Sequence, residues 1–207
     1  ALGANTLTLS GGGSLVSGGV TLDNASSKLV LNSITVDNVS TSADSLGLDV
    51  DADSTVTSLS VANITPVAIA SARSLSGGIT VTAGSLKLSE AGTIASTISM
   101  SGGVLDADES STVSGALTQS GDITIDVADN KTLTYSGAAL SLGAYTLTLS
   151  GGGTLVSGGL TLNDADSKLL LDSITVDSVS TTADSLGIDV DNNSTVTSLS
   201  VGHITPV

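Results

Sequence analysis

Residues 2–67 recur as residues 142–207 at a constant offset of 140, without insertion or deletion, and 51 of the 66 aligned positions are identical. TLTLSGGG at 6–13 returns at 146–153, SITVD at 33–37 at 173–177, and STVTSLSV at 54–61 at 194–201. A globular enzyme built round one closed core does not readily double two-thirds of its chain. A quasi-one-dimensional stack does, because each unit touches only its neighbours. The duplication therefore points to an elongated repeat protein and away from one organised round a single active site.

Short aliphatic pieces alternate with hydroxylic or acidic residues throughout, as in Thr6-Leu7-Thr8-Leu9, Val20-Thr21-Leu22, Ile79-Thr80-Val81 and Ile123-Thr124-Ile125-Asp126-Val127. A period of two places the aliphatics on one face of a strand and the polar residues on the other. Gly, Ser, Asn and Asp clusters separate the pieces and supply turn conformations. No stretch carries helical periodicity, so the chain reads as all-β. The expected architecture is one continuous parallel β-helix over 1–207, with 68–141 forming intervening coils of the same solenoid. Ser-Gly-Gly-aliphatic starts at Ser17, Ser76, Ser101 and Ser157. Those intervals suit a coil of roughly 20–28 residues, and at about 4.8 Å per coil a 140-residue unit spans about 25–35 Å.

The 15 differences between the copies keep the two faces separate. Val20, Val30 and Leu48 become Leu160, Leu170 and Ile188. Asp23, Asn24, Ser26, Asn32, Asn38, Ser42 and Asp53 become Asn163, Asp164, Asp166, Asp172, Ser178, Thr182 and Asn193. Val30 breaks the alternation, since it should point outward between Leu29 and Leu31; a lateral contact between coils would cover it. Tyr135 and Tyr145 are the only aromatic residues, so Val, Leu, Ile and Ala must fill the interior. A narrow, uniform core suits small aliphatics, because a bulky ring would distort the layers above and below.

A net charge of −15 with only Lys28, Arg73, Lys87, Lys131 and Lys168 as strong bases repels phosphate backbones and anionic lipid. Nucleic acid is thus excluded as a partner, and the acidic coat is read as a device that keeps a long β-stack soluble. The chain has no cysteine, hence no disulfide framework, and no 18-residue apolar run that would insert in a membrane. Both ends fall within the repeating pattern, so the sequence reads as a window of a longer repetitive polypeptide.

Taken together, TLTLSGGG, SGGVTLDNASSKLVL and DNKTLTYSGAALSLGAYTLTLSGGG resemble the β-helical stalks of bacterial autotransporter passengers, filamentous-haemagglutinin-like adhesins and giant repetitive surface proteins. The resemblance covers essentially the whole chain. It implies a right-handed parallel β-helix, export to the bacterial cell surface or beyond, and a role in adhesion, aggregation or fibre building. Implied partners are neighbouring repeats, other copies of the chain, and a host or cell-surface receptor. No catalytic or receptor-binding motif of such families is present to carry over.

Candidate chemistry is sparse. Asp49-Val-Asp51-Ala-Asp53 and its copy Asp189-Val-Asp191-Asn-Asn193 would line up oxygen ligands along one strand face, a set of hard donors suited to Ca²⁺. The calcium-loop pattern, with Gly at its sixth and Glu at its twelfth position, is not met, because Ser54 and Ser60 stand there. The plain alternative is a solvated acidic turn with no cofactor. Asp106-Ala-Asp108-Glu109 is a second acidic cluster. A glycosidase-type carboxylate pair would lack aromatic platforms and clustered bases, and His203 is the only histidine, so no acid, base and nucleophile converge. The SGGG runs lack the Lys and following helix of a phosphate loop. Thr-X-Thr triplets at 6–8, 55–57, 80–82, 132–134, 146–148 and 195–197 raise ice binding, but their uneven intervals argue against one flat array. The expected function is a rigid stalk or filament segment, not an enzyme. The alternatives are a filament subunit stacking end to end, and an ice-binding or calcium-binding solenoid.

Overall fold

The computed structural model describes residues 1–16, 18–204 and 206–207; Ser17, one of the four Ser-Gly-Gly starts, and Thr205 lie outside the described residues. All described secondary structure is β, and every strand pairing is parallel. Ten strands stack into one unbroken sheet, from Thr6–Ser10 through Ile64–Ile69 and Ile123–Val127 to Gly187–Val190. Successive strands of a coil never pair with each other. Each pairs with the strand one coil away, so the chain winds as a parallel β-solenoid of ten coils. At the usual strand spacing the stack is about 45 Å long.

A second sheet of fifteen strands wraps the rest of the wall. Its long strands bend round a corner and serve two faces. Ser74–Val81, for example, pairs through its first half with Thr93–Ile94 and through its second half with Thr97–Met100. Each coil therefore has three flat stations: the ten-stranded first face, then the second and third faces. Alternation within strands sends Leu29, Leu31, Leu48, Val56, Leu59, Leu75 and their equivalents into one continuous aliphatic core. Each fully buried leucine contributes about 1.5–3 kcal/mol of transfer free energy. At the same stations near the end of the stack, Val190, Leu199 and Val201 are about half exposed.

The duplicated unit occupies seven coils, since the strand beginning at Thr146 is the seventh above the one beginning at Thr6. Coil length is not constant. Stacked residues are separated in sequence by as little as 19, from Lys87 to Asp106, and by as much as 24, from Asp126 to Ser150. All the variation is taken up at the corners, which is why Ser-Gly-Gly does not mark one station. Ser76-Gly77-Gly78 lies inside a strand, Ser101-Gly102-Gly103 in a turn before the first face, and Ser157-Gly158-Gly159 in the corner before the third. The columns also drift. Leu7, Leu29, Leu48, Val67, Leu88, Ala107 and Val127 stack in one line, whereas Leu147, the copy of Leu7, sits on Ile123. Over one 140-residue unit the register has therefore slipped by four residues along the strand.

One expectation is met and one needs amendment. Val30 does face outward, half-buried between Thr8 and Asp49 of the adjoining coils. The interior is not wholly aliphatic, because Tyr135 is buried at a position stacked on Val113. The ring fits because Gly137 passes it with no side chain: a Cβ there would lie 2.6 Å from the Tyr135 ring and hydroxyl and 2.7 Å from Gly115 O.

Candidate functional site

The charged residues are partitioned by face. Of those carried on strands, Lys28, Asp49, Lys87, Asp106, Asp126, Lys168 and Asp189 all lie in the first face, and the remaining two, Asp37 and Asp177, lie at the bend between the second and third. All other charges occupy corners or, for Asp191 and His203, the segments just after strands. On the first face opposite charges meet on neighbouring coils: Lys28 pairs with Asp49, Lys168 with Asp189 at 2.7 Å, and Lys87 with Asp106 at 3.1 Å and Asp108 at 2.7 Å. The lysines are about one-third exposed, and their partners range from 20% at Asp106 to 53% at Asp189. Each pair contributes roughly 0–1 kcal/mol. Hydrogen bonding to Asp108 raises the Lys87 pKa despite partial burial. Asp106 is also raised, chiefly by burial, with the Lys87 ammonium opposing; Asp126 stacks directly above it and receives a hydrogen bond from the Ser150 hydroxyl.

Many corner carboxylates have a structural task that the solubility reading missed. A parallel coil leaves backbone N–H groups at each corner without a ladder partner, and such groups need an acceptor. Asp23 accepts from Gly3 N–H at 2.7 Å, Asp44 from Ile64 at 2.9 Å, Asp53 from Ser74 at 2.8 Å, Asp122 from Thr146 at 2.8 Å and Asp184 from Ile204 at 3.0 Å. Each bond joins one coil to the next. Asn163 repeats the Asp23 contact on Gly143 N–H at 2.9 Å, so the exchange of Asp for Asn between copies keeps the acceptor. Asp177 accepts from the N–H groups of Ser157, Gly158 and Ser178 and from the Ser157 hydroxyl. Burial opposes its charge, but these donors prevail and hold its pKa below the usual carboxylate value. Buried Ser27 and Ser167 join coils in the opposite sense, donating to Gly3 O and Gly143 O of the preceding coil.

The calcium arrangement expected of Asp49, Asp51 and Asp53, and of Asp189 and Asp191, does not form as three carboxylates on one strand face. The strand ends at Val50, so Asp51 and Asp53 enter the corner while Asp49 stays on the first face. Asp49 and Asp189 are committed to lysines, and Asp53 to the Ser74 backbone and hydroxyl. Asp53 lines an open corner crevice of about 260 Å³ with Gly12, Ser33, Thr55 and Ser76; Asp191 lines a wider one beside Asn192 and Asn193. Among the described residues no three His, Asp or Glu side chains are grouped to share a metal ion.

The second and third faces carry hydroxyls in place of charge. On the third, Thr21, Ser40, Ser60, Thr80, Ser99 and Thr118 are aligned on six successive coils, and Ser141, Thr161, Ser180 and Ser200 continue the pattern on the last four. Neighbours hydrogen-bond within the column, as Ser40 to Thr21 at 3.3 Å and Thr118 to Ser99 at 3.2 Å. The second face repeats the arrangement with Thr132, Thr154, Thr175 and Thr195, and with Ser14, Thr35, Thr55 and Ser76. The Thr-X-Thr triplets are dispersed over all three faces, as their uneven intervals implied. The arrays nevertheless exist, because Ser stands at many of the positions where Thr is missing, although Val156 interrupts the Thr93, Thr112 and Thr134 column of the second face. Among the described residues no helix is long and apolar enough to cross a membrane. Comparison with known proteins finds no family model, no curated protein and no solved structure that matches this chain.

Proposed function

We propose that the chain is a rigid, non-catalytic segment of a long bacterial fibre, exported to the cell surface or the extracellular space, where it spaces or displays adhesive regions. The observation that carries this reading is the unbroken ten-stranded first face over one continuous aliphatic core, stapled coil to coil by corner carboxylates. Such a wall is stiff along its axis and needs no cofactor. Its acidic corners and paired first face resist lateral sticking. Partners in this reading are adjoining coils of the same kind, other copies, and a receptor met by regions the stalk holds out. An antibody raised against residues 1–207 is expected to label intact source cells or fibres shed from them. Labelling only after permeabilisation would remove the surface assignment.

A second reading is favoured by one specific feature. Uncharged Ser/Thr columns, spaced by about 4.8 Å along the axis and about 7 Å across it, offer a rigid hydroxyl lattice to ordered water. In this reading the polypeptide produces thermal hysteresis and faceted ice, and the double substitution Thr154→Lys with Thr175→Lys removes both effects. Ordinary freezing at millimolar protein would eliminate it.

A further inference from the structure

The third face is broken at one level. The strand Leu117–Gln119 pairs with Thr97–Met100 below, and Leu140–Ser141 pairs with Leu160–Leu162 above, but the two are not laddered to each other. The first and second faces run through the same coils intact: Val104–Ala107 pairs with Ile123–Val127, and Ser111–Val113 with Thr132–Tyr135. One coil lower, Ile98 N–H donates upward to Ala116 O at 2.8 Å, as a parallel ladder requires. At the break, Leu117 N–H donates instead to the Tyr135 hydroxyl at 3.0 Å. The phenol has taken the place of a backbone carbonyl from the coil above. Gln119 donates through its amide to Thr146 O at 2.9 Å, while its Oε1 is buried without a hydrogen-bond partner. Behind the break lies a small apolar cavity of about 10 Å³, lined by Leu117, Leu133, Tyr135 and Leu140 among others.

We propose that this seam is a hinge in the solenoid, held open by the Tyr135 ring. The corner between the second and third faces stays closed across the seam, where a Cβ on Gly137 would lie 2.7 Å from Gly115 O, so the gap is confined to the third wall. Two walls remain zipped and the third is free to gape, so the rod bends away from the third face. Such a hinge confines bending to one level of an otherwise stiff stalk and holds whatever surface the fibre occupies.

Amide hydrogen exchange on the 207-residue chain tests it directly. In the wild type, the amides of Leu117, Gln119 and Ser141, which face the seam, are expected to exchange at least about ten-fold faster than those of 104–107 and 123–127, which belong to the same levels but intact walls. Equal protection would overturn the hinge. Tyr135→Phe removes the acceptor and should speed exchange at Leu117 further. Tyr135→Leu removes the wedge, and exchange at Leu117 and Gln119 should slow toward that of Thr97–Met100; no slowing in a variant with unchanged β circular dichroism would refute the role of the ring. Distances between nitroxides at Ser58→Cys and Ser198→Cys, both on the third face, should be more broadly distributed than those between Ala68→Cys and Leu170→Cys on the first. Equal widths would count against bending.

Discussion

A serine inserted between Leu86 and Lys87 should abolish cooperative unfolding, whereas the same serine between Glu90 and Ala91 should shift the thermal midpoint by no more than a few degrees. The difference comes from the period of two. Leu86 and Leu88 are buried in the first face and Lys87 points outward to Asp106 and Asp108. One added residue within the strand reverses every side chain on one side of the insertion. Exposing Leu88 forfeits about 1.5–3 kcal/mol, and turning Lys87 inward adds the larger cost of burying an unpaired charge. The total is comparable to the whole stability of an ordinary domain. Glu90 and Ala91 are exposed corner residues in one of the shortest coils, across which Lys87 and Asp106 stand 19 apart in sequence. Lengthening that coil by one leaves it well short of the separation of 24 between Asp126 and Ser150, which the same fold already accommodates. Chemical denaturation monitored by circular dichroism would measure both. A folded, cooperative strand insertion would contradict the assigned register.

Gly47→Ala should be nearly as damaging, with an expected loss of about 3 kcal/mol or more, at the large end for a single substitution. Gly47 has φ +79°, and a Cβ there would lie 1.8 Å from Pro66 O on the coil above. The left-handed conformation alone costs a non-glycine residue about 1–2 kcal/mol. Relieving the clash then requires the first face to part locally, which sacrifices ladder bonds. Gly13→Ala is the matched control, since its φ is ordinary and nothing lies within 4 Å of the added carbon. Its stability should stay within the small range of an unremarkable surface change. Equal effects at the two sites, measured by denaturant titration, would show that glycine serves here only as a turn former.

The face partition shows where sequence reasoning stopped. Alternation identified Leu29, Ile79, Ile123 and Ile125 as inward and led to the solenoid class, because a residue's side of a strand depends only on its immediate neighbours. Which outward residues meet across coils depends on corner lengths, and those vary without a local signal. Asp49, Asp51 and Asp53 looked like one row because nothing in the letters marks Val50 as the end of a strand. Ser40, Ser60, Thr80 and Ser99 looked unrelated because their alignment is created only when coils of unequal length are stacked. Asp44 and Asp122 looked like surface charge because the N–H groups they cap belong to residues 20 and 24 positions away.

Gly13 and Gly153 state the division most plainly. They occupy the same place in identical SGGG runs, yet a Cβ at Gly13 meets nothing, while one at Gly153 would lie 2.6 Å from both Ala128 O and the Val127 side chain. The amino-acid order by itself determined strand, turn, inward face and repeat, since these follow from short-range sterics and from the separation of apolar from polar positions. Only the tertiary structure decided which coil lies beneath each residue. Gly153 rests on Ala128 O and the Val127 side chain of the coil beneath it, neighbours 25 and 26 positions away that no local pattern announces.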